Sequence, residues 1–374
     1  MARQTGLGIS TVSTIIKQLV DQGIVIEKGT RQQAMGRPSI MLSVNPTYAL
    51  AVGAKLNPDN LTAVLTDLDS NVLASATTHL DYVTPDGVAR AFKTLLPRLL
   101  KKARLPKWRI AGAGLALTGL VDGKRGVCLQ STVLGWKDAP IGTVLSRALD
   151  MPVSIENDAN AVAIGEGYKG EAQLARNLVV LSIGHGIGAG IILDGRLYIG
   201  AIGTAGELGH VTIERNGPKC RCGKRGCLEA IASVPAVIRQ AKRYGLEVSA
   251  LSDLEAHAAT GNPDARRIWL RVTSAIGVAL SHVVNLLNPE LVIVAGSDTR
   301  LGANFAKRLS DELAMHTLPL LPKLPKLVVR DEQPDVWARG AASGAAQAFF
   351  SEGRWEQAAQ RSAGPEGAAS LGRA

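Results

Sequence analysis

The stretch "ELGHVTIERNGPKCRCGKRGCLE", residues 207–229, holds three of the four cysteines of a 374-residue chain within eight positions. His210, Cys220, Cys222 and Cys227 offer one imidazole and three thiolates, which is the full ligand set of a tetrahedral structural zinc site. Glycines between the cysteines permit the tight turns that close ligands need. We predict a structural zinc on these four residues, and four protein ligands leave no position for a catalytic water. A disulfide is the alternative that a reducing compartment disfavours.

Two carboxylates flank the predicted metal ligands. Glu207 lies three residues before His210, and Glu229 lies two residues after Cys227. A bound zinc ion would bring both carboxylates and the imidazole together, and such groups hydrogen bond to a polyhydroxylated ligand. Cys128 is distant in sequence and is predicted to be a buried, small apolar residue.

The composition is that of a globular α/β protein. Hydrophobic residues make up 46% and aromatic residues only 4%, so the cores must consist mainly of Val, Leu, Ile and Ala, as in folds with parallel strands. The length exceeds one typical domain. No stretch approaches 18 uninterrupted apolar residues, so we expect a cytoplasmic protein without membrane contact. The formal charge of +10 suits a nucleic-acid partner, although it also suits a merely soluble surface.

The segment "ISTVSTIIKQLVDQ", residues 9–22, predicts an amphipathic helix with Ser10 as its cap and Gly23 as its stop. The alternating segment 24–44 predicts a two-stranded wing. Together they favour a winged helix-turn-helix over residues 1–45, with an ordinary amphipathic hairpin as the alternative. The candidate DNA contacts are Thr11, Ser13, Thr14 and Lys17 nearest the bases, and Arg37, which fits either a minor groove or a solvated linker.

The residues from Ala2 to Gly6 predict a short leading helix, which Gly6 and Gly8 separate from the helix at 9–22. A helix-turn-helix normally packs one more helix before these two, and nothing here precedes Ala2 that could form it. We expect an upstream start codon that adds this helix. The alternative is a remnant that binds sugar but not DNA.

The rest of the chain predicts two similar α/β lobes with a cleft between them. In the first lobe, strands over residues 48–80 precede a helix at 85–102 and a buried strand at 109–119. In the second, strands over 177–200 precede a helix at 263–287, expected in the core or in a dimer interface, and a buried strand at 291–297. Residues 351–374, rich in Ala, Gly and Ser, are predicted to be a flexible tail.

The motifs "ELGH" at 207–210 and "CRCGKRGCLE" at 220–229 resemble the E-x-G-H and C-x-C-G-x-x-G-C-L-E signatures of the ROK family of repressors, open reading frames and sugar kinases. The resemblance runs from about Leu7 to Phe350. It includes the winged helix that only the repressor branch carries, the branch of the N-acetylglucosamine and xylose repressors. It implies that residues 46–350 form a two-lobed, actin-like sugar-kinase fold of the ribonuclease H-like type.

The resemblance also implies roles for single residues. "ENDANA" at 156–161 resembles the segment that supplies a sugar-binding asparagine and the kinase base. "LTGLVDG" at 117–123 and "STVLGW" at 131–136 resemble stretches that approach the sugar. The implied sugar contacts are Asn157, Asp158, Glu207, His210, Glu229, Gly119 and Thr132, with His210 binding zinc through one ring nitrogen and facing the sugar with the other.

The phosphate-binding motifs depart from those of the family's kinases. Where kinases have D-x-G-x-T, this chain has Lys55, Asn57 and Asp59, and Pro58 removes an amide donor. The second phosphate loop, G-T-G-I-G-G-G in kinases, reads "GHGIGAG" at 184–190. Because phosphoryl transfer depends on positioned phosphate contacts, we do not expect ATP to bind.

These observations favour a sugar-responsive transcriptional regulator, and more specifically a repressor. It would bind a DNA operator through the winged helix and a sugar or sugar-phosphate effector between the lobes, as a homodimer or a dimer of dimers. The alternative is an ATP-dependent sugar kinase of the glucokinase or N-acetylhexosamine kinase type, in which Asp158 would be the catalytic base. The residues at 55, 57 and 59 favour the regulator.

Overall fold

The computed structural model describes residues 5–31, 39–167, 170–296, 301, 303–331, 333 and 335–354. The helices, numbered in chain order, are α1 (Ile9–Asp21), α2 (Pro85–Ala103), α3 (Ile141–Leu149), α4 (Asp158–Gly167), α5 (Leu228–Ala232), α6 (Val234–Lys242), α7 (Leu251–Ala259), α8 (Pro263–Leu287), α9 (Ala303–His316) and α10 (Val336–Ser351). The strands are β1 (Val25–Arg31), β2 (Ser39–Val44), β3 (Leu50–Leu56), β4 (Asn60–Thr66), β5 (Val72–His79), β6 (Ile110–Leu117), β7 (Leu120–Asp122), β8 (Val127–Ser131), β9 (Trp136–Ala139), β10 (Val153–Asn157), β11 (Leu178–Ile183), β12 (Ile187–Leu193), β13 (Arg196–Leu197), β14 (Leu291–Gly296) and β15 (Lys326–Asp331).

Helix α1 leads into an antiparallel hairpin of β1 and β2, as the sequence predicts. Gly23, in the left-handed region at φ +71°, follows the end of the helix. The predicted Ser10 cap is wrong, because Gly8 takes the cap position in an extended conformation and Ser10 lies inside the first turn. The helix therefore begins without a side-chain cap.

Two five-stranded sheets form the two lobes, and both have the same strand order. Sheet 1 runs β10-β6-β3-β4-β5, and sheet 2, read in the same sense, runs β15-β14-β11-β12-β13. In each sheet the first strand in sequence pairs antiparallel on one side and parallel on the other. Parallel neighbours need crossover connections, which α2 and α3 supply in sheet 1 and α5 to α9 in sheet 2. The predicted duplication is confirmed.

Each sheet covers its own apolar core. Phe92 and Leu95 of α2 are fully buried against sheet 1, and Val272 and Ile276 of α8 are fully buried in the second lobe. Among the described residues, α8 is long and apolar enough to cross a membrane, but 56% of its apolar window is buried in this core. Its burial is that of a core helix, one of the two roles expected from the sequence.

Helices α4 and α10 each follow the last strand of a sheet, and they cross where the lobes meet. A Cβ on Gly340 of α10 would lie 1.8 Å from the carbonyl oxygen of Ala161 in α4, so only glycine permits this approach. On sheet 1, a Cβ on Gly53 would lie 1.8 Å from the carbonyl oxygen of Ala338 in α10. Helix α4 also packs on β12 of sheet 2, at Gly190. The two crossed helices thus join both sheets.

The C-terminal end is ordered slightly further than predicted. Helix α10 continues to Ser351, and Arg354 donates to the carbonyl oxygen of Ala111 at 3.3 Å. Residues 351–354 of the predicted tail are thus ordered, and residues 355–374 lie outside the described part of the chain.

Candidate functional site

The predicted metal ligands come together in the loop between β13 and α5. The ligand atoms of His210, Cys220, Cys222 and Cys227 all lie within 4.8 Å of one another. His210 Nδ1 lies 3.7 Å from Cys220 Sγ, and Cys222 Sγ lies 3.7 Å from Cys227 Sγ. Because zinc–sulfur bonds of about 2.3 Å place tetrahedral ligands roughly 3.8 Å apart, these spacings suit a zinc ion. The four residues form a cluster that can hold a metal ion, defined here as the metal cluster.

Two glycine turns shape the loop around the metal cluster. Gly223 and Gly226 have φ values of +93° and +72°, and a Cβ on Gly226 would lie 1.5 Å from the carbonyl oxygen of Glu214. The amide of Cys220 donates to the carbonyl oxygen of Lys224 at 2.8 Å, which closes the tight turn that contains Cys222. The glycines allow the close backbone path that was inferred from the sequence.

Two sulfurs of the metal cluster, those of Cys220 and Cys227, have a raised pKa. At Cys222 a weaker effect of burial is outweighed by hydrogen bonds with the Lys224 backbone and the other two cysteines, which lower its pKa. Burial raises the pKa of Cys227 to about 12, and its hydrogen bonds with Cys222 and Cys220 act in the same direction. Burial also raises the pKa of Cys220. Metal binding must therefore displace these protons. Cys128 is fully buried in β8, where burial raises its pKa to about 11.

Glu207 and Glu229 lie beside the metal cluster. His210 points Nε2 toward Glu207, 3.8 Å from its Oε2. The Glu229 carboxylate accepts hydrogen bonds from Nε and Nη2 of Arg221 at 2.8 and 2.9 Å, and from the amide of Ile187 at 3.1 Å. The side chain of Glu207 is 41% exposed against 7% for Glu229, so Glu207 is the more accessible acceptor. Burial raises the pKa of Glu207.

Asn157 and Asp158 stand where β10 ends and α4 begins. Asn157 Oδ1 accepts the amide of Ala159 at 2.8 Å, which caps α4, and its Nδ2 donates to the carbonyl oxygen of Gly119 at 2.7 Å. Gly119 has φ +142°, and a Cβ there would lie 2.6 Å from the carbonyl oxygen of Gln130. Asn157 and Gly119, both predicted from the sequence, are thus in direct contact.

Asp158 is engaged by side chains that the sequence analysis did not connect to it. Its Oδ1 forms an ion pair with Nζ of the buried Lys55, and its Oδ2 accepts the hydroxyl of Thr118 at 2.5 Å. Lys55 Nζ also lies 3.4 Å from Thr118 Oγ1 and 5.9 Å from the centre of the Trp337 ring. Lys55, Thr118, Asp158 and Trp337 are called the Lys55 cluster below.

The metal cluster and Asp158 adjoin the same strand, β12. Ala159, which follows Asp158, packs so closely that a Cβ on Gly190 would lie 2.5 Å from its carbonyl oxygen. Along β12, the amide of Ala189 donates to the carbonyl oxygen of Gly206 at 2.9 Å, immediately before Glu207. The candidate ligand groups therefore gather around one strand at the junction of the lobes.

Thr132, the remaining predicted sugar contact, lies exposed in the turn between β8 and β9. Its neighbour Ser131 is buried and donates to the carbonyl oxygen of Thr118 at 2.5 Å. Ser131, the last residue of β8, thus reaches the Lys55 cluster. Sequence reasoning missed it because the motif marks the turn and not which side chain points inward.

The predicted DNA contacts on α1 share one property. Thr11, Ser13, Thr14 and Lys17 are all exposed. The Thr14 hydroxyl donates to the carbonyl oxygen of Ser10 at 3.1 Å, so its oxygen remains available as an acceptor. Arg37 lies outside the described residues.

Two loops resemble the phosphate-binding loops of kinases, and in each of them a backbone amide donates a hydrogen bond to a carbonyl oxygen of the same loop. In the β3–β4 turn the amide of Asn57 donates to the carbonyl oxygen of Asn60 at 2.9 Å. In the β11–β12 turn the amide of Gly184 donates to the carbonyl oxygen of Gly186 at 2.9 Å. Both amides are already paired within the protein.

A two-lobed α/β fold with a Cys₃His cluster beside acidic side chains defines the class of protein. Residues 51–347 match the model of the ROK family. The chain belongs to the ROK family, and its two lobes have the architecture of sugar kinases.

Known members extend over most of the chain. The xylose repressor of Caldicellulosiruptor bescii is 30% identical over 325 residues, which cover 83% of this chain and 82% of that protein. The crystal structure of a ROK family transcriptional regulator, a homologue of the E. coli MLC protein, is 27% identical with a TM-score of 0.80 and covers 96% of this chain and 93% of its own. The ROK hexokinase from Thermus thermophilus is 29% identical with a TM-score of 0.71 and covers 81% of this chain and 99% of its own.

Proposed function

We propose that this chain is a sugar-responsive transcriptional regulator that acts as a repressor. The proposal rests on the share of this chain that each of the two solved relatives covers. The regulator matches 96% of this chain, whereas the hexokinase matches 81% although 99% of its own length is used. The family model begins at residue 51. Helix α1 and the hairpin of β1 and β2 lie before the stretch that the family model matches.

Residues 1–45 would form a winged helix-turn-helix that binds an operator. The hairpin of β1 and β2 supplies the wing, and α1 supplies the recognition helix. Thr11, Ser13, Thr14 and Lys17 would meet base edges and phosphates, with Arg37 near a minor groove. A homodimer or a dimer of dimers would place two such helices on one operator.

Residues 46–350 would bind the effector sugar between the lobes. The proposed contacts are Asn157, Asp158, Glu207, His210, Glu229, Gly119 and Thr132, of which Thr132 has the weakest geometric support because of its exposed position. His210, Cys220, Cys222 and Cys227 would hold a structural zinc ion, which fixes the loop that carries Glu207 and His210. The xylose repressor among the relatives makes D-xylose the first sugar to test.

The test combines ligand binding with DNA binding. A thermal-shift screen of D-xylose, D-glucose, N-acetylglucosamine and their phosphates is expected to find a sugar that raises the melting temperature, since a ligand that binds only the folded state stabilises it. The same sugar is expected to change the mobility shift of DNA from upstream of the gene.

The rival function, a sugar kinase, has a distinct signature. In a coupled ADP-release assay the proposed regulator should show no sugar-dependent turnover. ATP turnover that depends on a sugar and is abolished by Asp158→Asn would replace the regulator with a kinase.

A further inference from the structure

The Lys55 cluster places a lysine on the one carboxylate of the sugar site that kinases of the family use as a base. We propose that Lys55 is a positioning residue for Asp158: it holds the carboxylate in one orientation and balances its charge, so that Asp158 serves as a fixed hydrogen-bond acceptor for the effector sugar. This inference rests on the proposed function, because it concerns the same site.

The exposed fractions of the Lys55 and Asp158 side chains indicate which of the two meets the ligand. The Lys55 side chain is 11% exposed and that of Asp158 is 21% exposed. Lys55 belongs to β3, whose residues are all buried between β4 and β6. The carboxylate is therefore the more exposed of the two partners, and it is the one that a sugar between the lobes would meet first.

The surroundings of the ammonium leave it little capacity for another ligand. An ammonium has three donors, and here it contacts the Asp158 carboxylate, the Thr118 hydroxyl and the face of the Trp337 ring. A buried cation without such partners is unfavourable. The folded protein should therefore keep the ammonium in contact with these three groups. Lys55 is thus an internal counter-ion and not a phosphate site.

The carboxylate itself keeps acceptor positions open. A carboxylate has about four lone-pair positions, and Asp158 is contacted by Lys55 at Oδ1 and Thr118 at Oδ2. These two donors fix the rotation of the carboxylate plane, and the remaining positions can accept sugar hydroxyls. Preorganisation of this kind raises affinity because less side-chain freedom is lost on binding.

The experiment is a double-mutant cycle on sugar affinity. Isothermal titration with the sugar that most stabilises the wild-type protein would be repeated for Lys55→Met, Asp158→Asn and the double variant. We expect each single change to weaken binding by roughly tenfold or more, the usual effect of losing a hydrogen bond to a charged group. Because Lys55 acts through Asp158, adding Lys55→Met to Asp158→Asn should change the affinity by less than about threefold.

Two further variants serve as a control for the cycle and as a substitute for Lys55→Met. Lys137→Met removes an exposed lysine from β9 of the same lobe and should leave sugar affinity unchanged. If Lys55→Met does not fold, Lys55→Gln replaces it in the cycle; it removes the charge and keeps one donor to Asp158, so its loss of sugar affinity should be smaller and should again disappear in the Asp158→Asn background.

The outcomes are distinguishable. Additive losses of affinity, or stabilisation of the wild-type protein by inorganic phosphate that Lys55→Met removes, would overturn the role of Lys55 while leaving the sugar-responsive regulator intact. A wild-type protein that binds no sugar of the panel would overturn both proposals.

Discussion

Cys222 is the exposed sulfur of the metal cluster and the simplest of its ligands to replace. Cys222→Ser is expected to lower zinc affinity by more than ~100-fold, because even the loss of a residue that merely orients a zinc ligand costs about 10–100-fold. Metal analysis after dialysis against a chelator measures the effect. Cys128→Ala, which changes the buried cysteine outside the cluster, should retain zinc. Equal zinc contents in the two variants would contradict the ligand assignment.

The affinity for zinc is expected to depend on pH with a definite sign. Burial raises the pKa of Cys227 to about 12, so the metal-free thiol is protonated at every physiological pH. Zinc must release that proton, and its apparent affinity should therefore rise by up to about tenfold for each pH unit and each proton released. Competition with a chromophoric chelator between pH 6 and 8 checks this. An affinity that does not change with pH would mean that the sulfurs are not ligands.

Single residues also show what the sequence can and cannot reveal. The grouping of His210 with the three cysteines could be predicted because the cysteines lie within eight positions and are a residue type with few other uses in a reducing compartment. The partners of Asp158 could not, since Lys55 and Thr118 lie 103 and 40 positions away and only the completed sheet brings them together. At Lys55 the sequence shows the loss of a motif but not the new ion pair.

Among the elements, the crossing of α4 and α10 allows a matched pair of substitutions. Gly340→Ala is expected to destabilise the protein by about 1–3 kcal/mol, because its Cβ would meet the Ala161 carbonyl oxygen at 1.8 Å. Gly344→Ala, on the same helix, would place its Cβ 3.6 Å from Ile164 Cδ1 and should be neutral or stabilising by up to ~1 kcal/mol. Chemical denaturation compares the two. Similar stabilities would mean that the helices do not approach this closely.

Helix α1 gives the test of DNA docking. Lys17→Ala should weaken binding to duplex DNA and reduce the slope of log affinity against log salt by about 1, since each phosphate contact releases a counter-ion. Anisotropy titrations at several salt concentrations measure both quantities. Lys93→Ala, an exposed change on α2, serves as the control. Unchanged affinity and slope for Lys17→Ala would place the DNA elsewhere.

The predictability of an element depended on its exposure pattern. Strands β3 to β6 and helix α8 were predicted because their apolar runs and flanking turns follow a regular period. Helix α4 was missed because Ala159–Glu166 are all buried, so no polar face marks its helical repeat. Helix α10 is likewise rich in Ala and Gly and buried along most of its length.

For the whole molecule, sugar and DNA binding should be reciprocally coupled. If the sugar weakens DNA affinity by a given factor, DNA must weaken sugar affinity by the same factor, and couplings of this kind are typically about 5–150-fold. Anisotropy with labelled DNA and titration calorimetry with the sugar measure the two factors. Asp158→Asn should raise the sugar concentration needed for this effect while DNA affinity without sugar stays the same. If the sugar leaves DNA affinity unchanged, the two ligands do not act on one shared equilibrium.

The packing of α10 on sheet 1 also bears on how the chain folds during its synthesis. Gly53 of β3 meets α10 at Ala338 and Ala342, so the packing of the first lobe is completed only when α10, the last of the described helices, has been synthesised. At about 5–20 residues per second, translation separates these segments by roughly 15–60 s. Throughout that interval the face of the first sheet that α10 covers lacks its native packing partner. Chaperones that bind apolar surface can act on that face.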